Sequence, residues 1–287
     1  MQILVIPFAL MAAVSWGTAD FCGGLASRGM SAVRVVLATQ TIGVVALVVL
    51  GVALQQPIPG SGDLLKGAVA GLAGGAGLLL LYLSLARDKM GLAAPLTAIA
   101  SGGVPLLVGM ITQGLPSAPQ MAGFLLALIA IWIISRPEGN QPFRLSNVVL
   151  PLISGIGFGI FMALIGLIDD ATGFVWPLVA TRIASISLMA ALVLAGWAWE
   201  RGQATNNVER PPFPWKLAII SGLGDTIGNA LFVLASQMGR LDVASVLGAL
   251  YPAATVLLAW LVLGERLSKK QSAGVGVALA AVALIAL

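Results

Sequence analysis

The chain has 287 residues, 59% of them hydrophobic and 9% charged, with a net charge of +4. A mean hydropathy of +1.02 leaves too little polar surface to cover a water-soluble globule, so the composition dictates an integral membrane protein. A single cysteine, Cys22, and the absence of histidine exclude an internal disulfide and the usual zinc, haem, Ser-His and Cys-His constellations, so no metal, cofactor or catalytic group is expected.

Apolar blocks of about 17 to 25 residues, the length a helix needs to cross ~30 Å of hydrocarbon, recur at 3–25, 32–54, 64–86, 91–112, 119–135, 147–168, 174–198, 215–237, 242–263 and 270–287. The expected fold is all-α, a polytopic membrane protein with ten transmembrane helices. Runs such as Leu78 to Leu81 do not alternate in polarity, which excludes an outer-membrane barrel. Only Met1 and Gln2 precede the first block and no basic stretch leads it, so it is read as helix one, not as a cleaved signal.

In chain order, helix one carries Trp16 and Asp20, the latter near its end and close to Arg28. Helix three is thinned by Gly71, Gly74, Gly75 and Gly77, which implies close helix packing, and it also carries Tyr82. Helix four holds Ser101 and Pro105. The polar stretch SRPEGNQPFRLSN at 135–147 separates helices five and six. Helix six carries Phe158, Asp169 and Asp170 fall in the following loop, and helix seven carries Arg182 well inside the apolar block. A second polar loop spans 200–215. Helix eight contains SGLGDTIGNALFVLAS, with Asp225 and Asn229 in its middle, and helix nine contains Tyr251 and Pro252.

Twelve Lys and Arg residues flank the odd-numbered connections, whereas Lys66 and Arg240 alone lie on the even-numbered side. The positive-inside rule then places the odd connections in the cytoplasm and both termini outside. The basic residues stand singly at helix ends and form no stripe suited to nucleic acid.

Sliding the sequence along itself by 142 positions sets Trp16 on Phe158, Gly17 on Gly159 and Ala38-Thr39 on Ala180-Thr181. With slightly larger shifts Met90-Gly91 meets Met238-Gly239, Pro105 meets Pro252, and Gln120 and Gly123 meet Gln271 and Gly274. The expected organisation is therefore two five-helix repeats, 1–138 and 139–287, in one membrane domain. An odd number of helices per copy forces the second copy to enter from the opposite face, which gives an inverted repeat and implies alternating access.

SWGTADF at 15–21, the segment from Tyr251 to Ile285 with its LGERLS motif at 263–268, and the five-plus-five plan together resemble the EamA-domain branch of the drug/metabolite transporter superfamily, over the whole chain. Length and plan are similar to YddG-type amino-acid exporters and to other metabolite permeases. The resemblance implies a multi-pass exporter of small metabolites in the bacterial inner membrane, with a central cavity lined by both repeats. Small four-helix multidrug members carry a membrane glutamate where this chain has Val14, so their proton-coupling device is not carried over. Nor does the loop TQGLPSAPQ at 112–120 hold a counterpart of Glu265-Arg266.

Asp225 lies ~13 Å inside Lys216 at helical rise, where an ionised acid costs roughly 2.5–3.5 kcal/mol and should face protein or a water-filled cavity. Gly222, Asp225 and Asn229 share one helical face. Asp225 is expected either to pair with Arg182, which antiparallel helices seven and eight bring to a similar depth, or to bind a substrate amine or a proton directly. Asp20 is read first as an interfacial acid beside Arg28 and second as a coupling residue. Trp16 and Phe158, matched across the repeats, are candidates to close a cavity or stack a substrate. Tyr82 and Tyr251 are candidate substrate partners, because a buried hydroxyl needs one. Pro105 and Pro252 are expected to kink helices four and nine and serve gating, freeing carbonyls near Ser101 and Gly248 for a ligand.

Together these readings describe an alternating-access exporter of small polar metabolites, amino acids first among them. The alternative is proton-exchange efflux of amphiphilic cations by the same fold, with Asp225 binding proton and cation in turn. An enzyme is disfavoured by the thin polar inventory. The expected partners are a small-molecule substrate and the lipid bilayer, without nucleic acid and without need of a second copy.

Overall fold

A computed structural model describes residues 2–86, 90–134, 146–168, 173–200, 212–263 and 269–285. Asp169 and Asp170, nearly all of the 135–147 linker, most of the 200–215 loop and the LGERLS motif beyond Leu263 lie outside the described residues.

Among the described residues the chain forms helices α1 (Gln2–Gly29), α2 (Ala32–Ala53), α3 (Ser61–Ala86), α4 (Met90–Gln113), α5 (Ala118–Ile134), α6 (Ser146–Gly166), α7 (Val175–Glu200), α8 (Trp215–Met238), α9 (Leu241–Gly248), α10 (Tyr251–Leu263) and α11 (Lys269–Ile285). Six of the described helices are long and apolar enough to cross a membrane, and four shorter apolar stretches accompany them. Helices suit such a sequence because hydrocarbon offers no partner to a backbone N–H or C=O, and a helix satisfies nearly all of its own.

The expected ninth span is two helices. α9 stops at Gly248, the Ala249 N–H reaches back to the Ser245 carbonyl at 2.9 Å, and Ala253 N–H bonds Leu250 at 2.9 Å to restart the chain as α10. Pro252 occupies the second position of α10, where its missing N–H would have had no helical partner anyway. The matched Pro105 lies inside α4, which runs unbroken from Met90 to Gln113. The matched prolines thus sit differently, one within a helix and one at a helix start. The break is tolerated because every residue of α9 is buried, which puts its loosened backbone against protein.

The main packing pairs are α1 with α8, α3 with α6, α2 with α7, α3 with α7, α2 with α8, α4 with α6, α1 with α9 and α10, α4 with α9, and α5 with α11. Glycine makes the closest approaches. A Cβ on Gly71 would stand 2.1 Å from the Thr181 carbonyl oxygen, and one on Gly17 would stand 2.5 Å from that of Tyr251. The glycines of α3 act as the close-packing surface expected of them.

The end of the bundle that carries the even-numbered connections is tied by specific bonds. α2 ends in a Schellman turn in which Gln55 takes φ 50° and Gln56 N–H bonds the Gly51 carbonyl at 3.1 Å. Gln56 then accepts from Val175 N–H through Oε1 (3.1 Å) and from Trp176 Nε1 through its carbonyl (2.8 Å). Lys66 Nζ bonds Asp63 at 2.7 Å and the Leu167 carbonyl at 3.0 Å. Arg240 holds fully buried Asp242 through two bonds of 3.0 and 2.6 Å and donates to the carbonyls of Gln113 and Gly114 at 3.3 and 2.6 Å. Asp242 pushes the Arg240 guanidinium pKa further up by hydrogen bonding to it, which keeps this tie charged at any physiological pH.

Candidate functional site

Between these packed faces lies a cavity with about 50 Å³ of room for the centres of water-sized molecules, several times the ~10–15 Å³ that one water requires. Its walls come from eight helices. α1 supplies Trp16 and Asp20, α2 Gln40, and α3 Gly71, Gly74, Gly75 and Leu78; α4 supplies Ser101 and α6 Phe158, Phe161 and Met162; α7 supplies Thr181, Arg182 and Ser185, α8 Asp225 and Asn229, and α10 Tyr251. The lining is thus part aromatic and aliphatic and part polar.

Arg182 organises the polar part. Its Nη1 donates to Gln40 and to the Asp225 carboxylate, and Nη2 donates to Thr226 Oγ1 at 3.3 Å. The Arg182 side chain is only 4% exposed, whereas that of Asp225 is 22% exposed and faces the cavity. The pairing expected from depth alone is present, and it neutralises a guanidinium that would be expensive alone at this position. Among the described residues, Arg182 Nε has no partner.

Asn229 is oriented by Trp16, whose indole Nε1 donates to Oδ1 at 2.8 Å. Because an indole N–H can only donate, the amide oxygen must face it, and the Nδ2 group turns away without a partner. Trp16 also packs against Phe232 with ring centroids 5.5 Å apart. Tyr251 hydroxyl and Ser185 Oγ likewise lack partners among the described residues although both residues are buried. Ser101 lines the same space while its Oγ bonds the Ala98 carbonyl at 3.0 Å.

Two expectations are corrected. Asp20 is not at the interface, because α1 continues to Gly29. That puts it more than ten ångströms inside the helix end at ~1.5 Å per residue, on the cavity wall with Asp225. Tyr82 lies outside the cavity: its ring fills the space left by Gly23, and its hydroxyl is satisfied by Ser221 Oγ at 3.0 Å.

Gln40 and Ser185 were not anticipated. Gln40 was accessible in the sequence, since the 142-residue shift that aligns Thr39 with Thr181 also sets Gln40 on Arg182, and these matched residues hydrogen-bond each other. Ser185 gave no signal, being one hydroxyl in an apolar helix. Its importance comes from Gly75, where an added Cβ would stand 2.3 Å from Ser185 Oγ.

Among described residues no cluster of His, Cys, Asp or Glu is suited to a metal ion. No curated protein gives a significant sequence match. A crystal structure, described only as that of a protein, superimposes with a TM-score of 0.72 at 16% identity, covering 98% of this chain and 95% of that one, a likeness of fold alone. The family model of the EamA-like transporters matches twice, over residues 3–136 and again over 149–287. The chain is a multi-pass membrane protein that belongs to the EamA-like transporter family, within the drug/metabolite transporter superfamily, a family of membrane transporters of small metabolites.

Proposed function

We propose that this chain carries small polar metabolites, amino acids first among them, out across the bacterial inner membrane by alternating access of the cavity between two inverted halves, 1–138 and 139–287. The observation that carries the reading is the closure of the helix pairing under exchange of the halves. Replacing α1–α5 by α6–α11 turns α1 with α8 into α6 with α3, and α2 with α8 into α7 with α3, while α2 with α7 and α5 with α11 map onto themselves. The double match of one family model supports the same duplication. Two halves of equivalent packing have two equivalent ways to rock about the cavity, one opening each face.

In this reading Trp16 and Phe158 wall the site from the two halves, Ser101, Asn229 and Tyr251 contribute polar contacts, and the Arg182–Asp225 pair fixes α7 to α8. The proline positions serve gating differently, the α9–α10 break at Pro252 being the softer of the two. Cation efflux on Asp225 is the weaker alternative, because the guanidinium of Arg182 already occupies that carboxylate. No site for nucleotide or metal chemistry enters the scheme.

Counterflow in proteoliposomes of the purified chain tests this. Preloaded vesicles offered labelled amino acids should accumulate label transiently and saturably, with or without a pH gradient. Failure of every amino acid to exchange would remove that substrate class.

A further inference from the structure

The cavity holds one carboxylate and four hydrogen-bonding groups that its own contacts do not use. Asp20 makes no hydrogen bond or ion pair among the described residues, whereas Asp225, the other acid of the cavity, is held by Arg182. Unpartnered, and more than nine-tenths buried, are Arg182 Nε, Ser185 Oγ, Asn229 Nδ2 and Tyr251 hydroxyl. The first and third of these can only donate, and the two hydroxyls can donate or accept. Leaving such groups dry and unmatched costs roughly 1–3 kcal/mol each, a penalty that a ligand or water removes.

All of these residues line the one cavity, and α1 links three of them. Asp20 follows Trp16 by one helical turn on the same face of α1, and Trp16 holds the Asn229 amide. Gly17, between them in sequence, lets the Tyr251 backbone against α1. An acid with no cation and donors with no acceptor thus line one cavity, with Asn229 joined through Trp16 to the stretch of α1 that carries Asp20.

We infer that Asp20 receives the protonated amino group of the substrate, while Asn229, Tyr251, Ser185 and Arg182 Nε donate to its carboxylate, so that the cavity reads the head group of an α-amino acid with an apolar side chain. The inference rests on the transport reading for its biological sense, but it concerns binding alone. Asp225 is matched by Arg182 and Asp20 by no cation, so the acids of the cavity outnumber its cations by one. That imbalance favours an ammonium ligand over a free carboxylic acid, and the aromatic and aliphatic residues take the side chain. The proposal moves cation recognition from Asp225, where the sequence pointed, to Asp20.

The test is equilibrium binding to the detergent-purified full chain with three probes, leucine, isopentylamine and 4-methylpentanoate, which share a side chain and differ in head group. Asp20→Asn should weaken leucine and isopentylamine ~tenfold or more, the worth of a charge-assisted hydrogen bond, and leave 4-methylpentanoate unchanged or tighter. Asn229→Leu should weaken leucine and 4-methylpentanoate and spare isopentylamine. Asp20→Glu should restore much of the amine affinity. Should the variants not purify as single species, the wild type serves instead, binding leucine more tightly than either isopentylamine or 4-methylpentanoate. Unchanged leucine affinity in Asp20→Asn, equal losses for all three probes, wild-type affinity for leucine no greater than for 4-methylpentanoate, or no binding of leucine and isopentylamine to the wild type would overturn the assignment. Head-group-selective binding without counterflow would leave it standing and overturn transport.

Discussion

On α3, the absent side chain of Gly71 admits the Thr181 carbonyl, and on α8 that of Gly222 admits the Thr39 carbonyl, 2.7 Å from where a Cβ would be. Two turns along, Gly77 faces Phe158 and Gly228 faces Trp16, and both Thr39 with Thr181 and Trp16 with Phe158 are partners in the self-comparison of the sequence. Between these matched contacts the helices differ. α3 presents Gly74, Gly75 and Leu78 to the cavity, whereas α8 presents Asp225, Thr226 and Asn229 over the same turn, Thr226 being turned onto Arg182. The shared contacts are those that set the helix-to-helix distance, and the differences fall where the helices face the cavity. A cavity lined alike by both halves would bury two arginines and two of these acids, at a desolvation cost of several kcal/mol per ion. One half instead supplies the charge and the other supplies the room for it, with Gln40 standing as the neutral mate of Arg182.

This division predicts unequal effects at matched positions. The largest falls on Arg182: Arg182→Met leaves Asp225 without its cation and should cost about 3–5 kcal/mol, seen as a large loss of thermal stability in detergent. The double variant Arg182→Met, Asp225→Leu should recover most of it, since replacing a buried pair by apolar residues is often neutral. At Gly75, alanine puts a Cβ 2.9 Å from that of Ser185 and should cost about 1–3 kcal/mol by overpacking α3 on α7, again read by thermal unfolding. At Thr226, the position on α8 that faces Gly43 as Ser185 faces Gly75, alanine removes only the bonds to Arg182 and to the Gly222 carbonyl and should cost about 1 kcal/mol. Equal losses at Gly75 and Thr226 would show that the halves share chemistry as well as shape.

Most of the architecture was legible because spanning length and apolar composition are properties of local sequence. The two-helix form of the ninth span was not, since Pro252 permits either a kink or a break. The choice fell to the burial of α9, which is a tertiary fact. Arg182 and Asp225 stood out because charges in apolar blocks are costly wherever they face, and their depths predicted their pairing. Asp20 was misplaced because its distance from the membrane surface depended on where α1 ends, and Arg28 near that end suggested an earlier stop. Tyr82 was assigned to the cavity on its unmet hydroxyl, and Ser221, one of many serines in the chain, gave no sign of being its partner. Gln40 was readable only by extending the matched Ala38-Thr39 pair by one residue.

The most direct test of alternating access through this cavity places a single cysteine at its buried wall. In a Cys22→Ser background, Ser185→Cys is labelled in proteoliposomes with a membrane-impermeant thiol reagent added to one face or the other, with and without leucine. The account predicts reaction from either face, slowed by leucine on both. Reaction confined to one face under all conditions would contradict it.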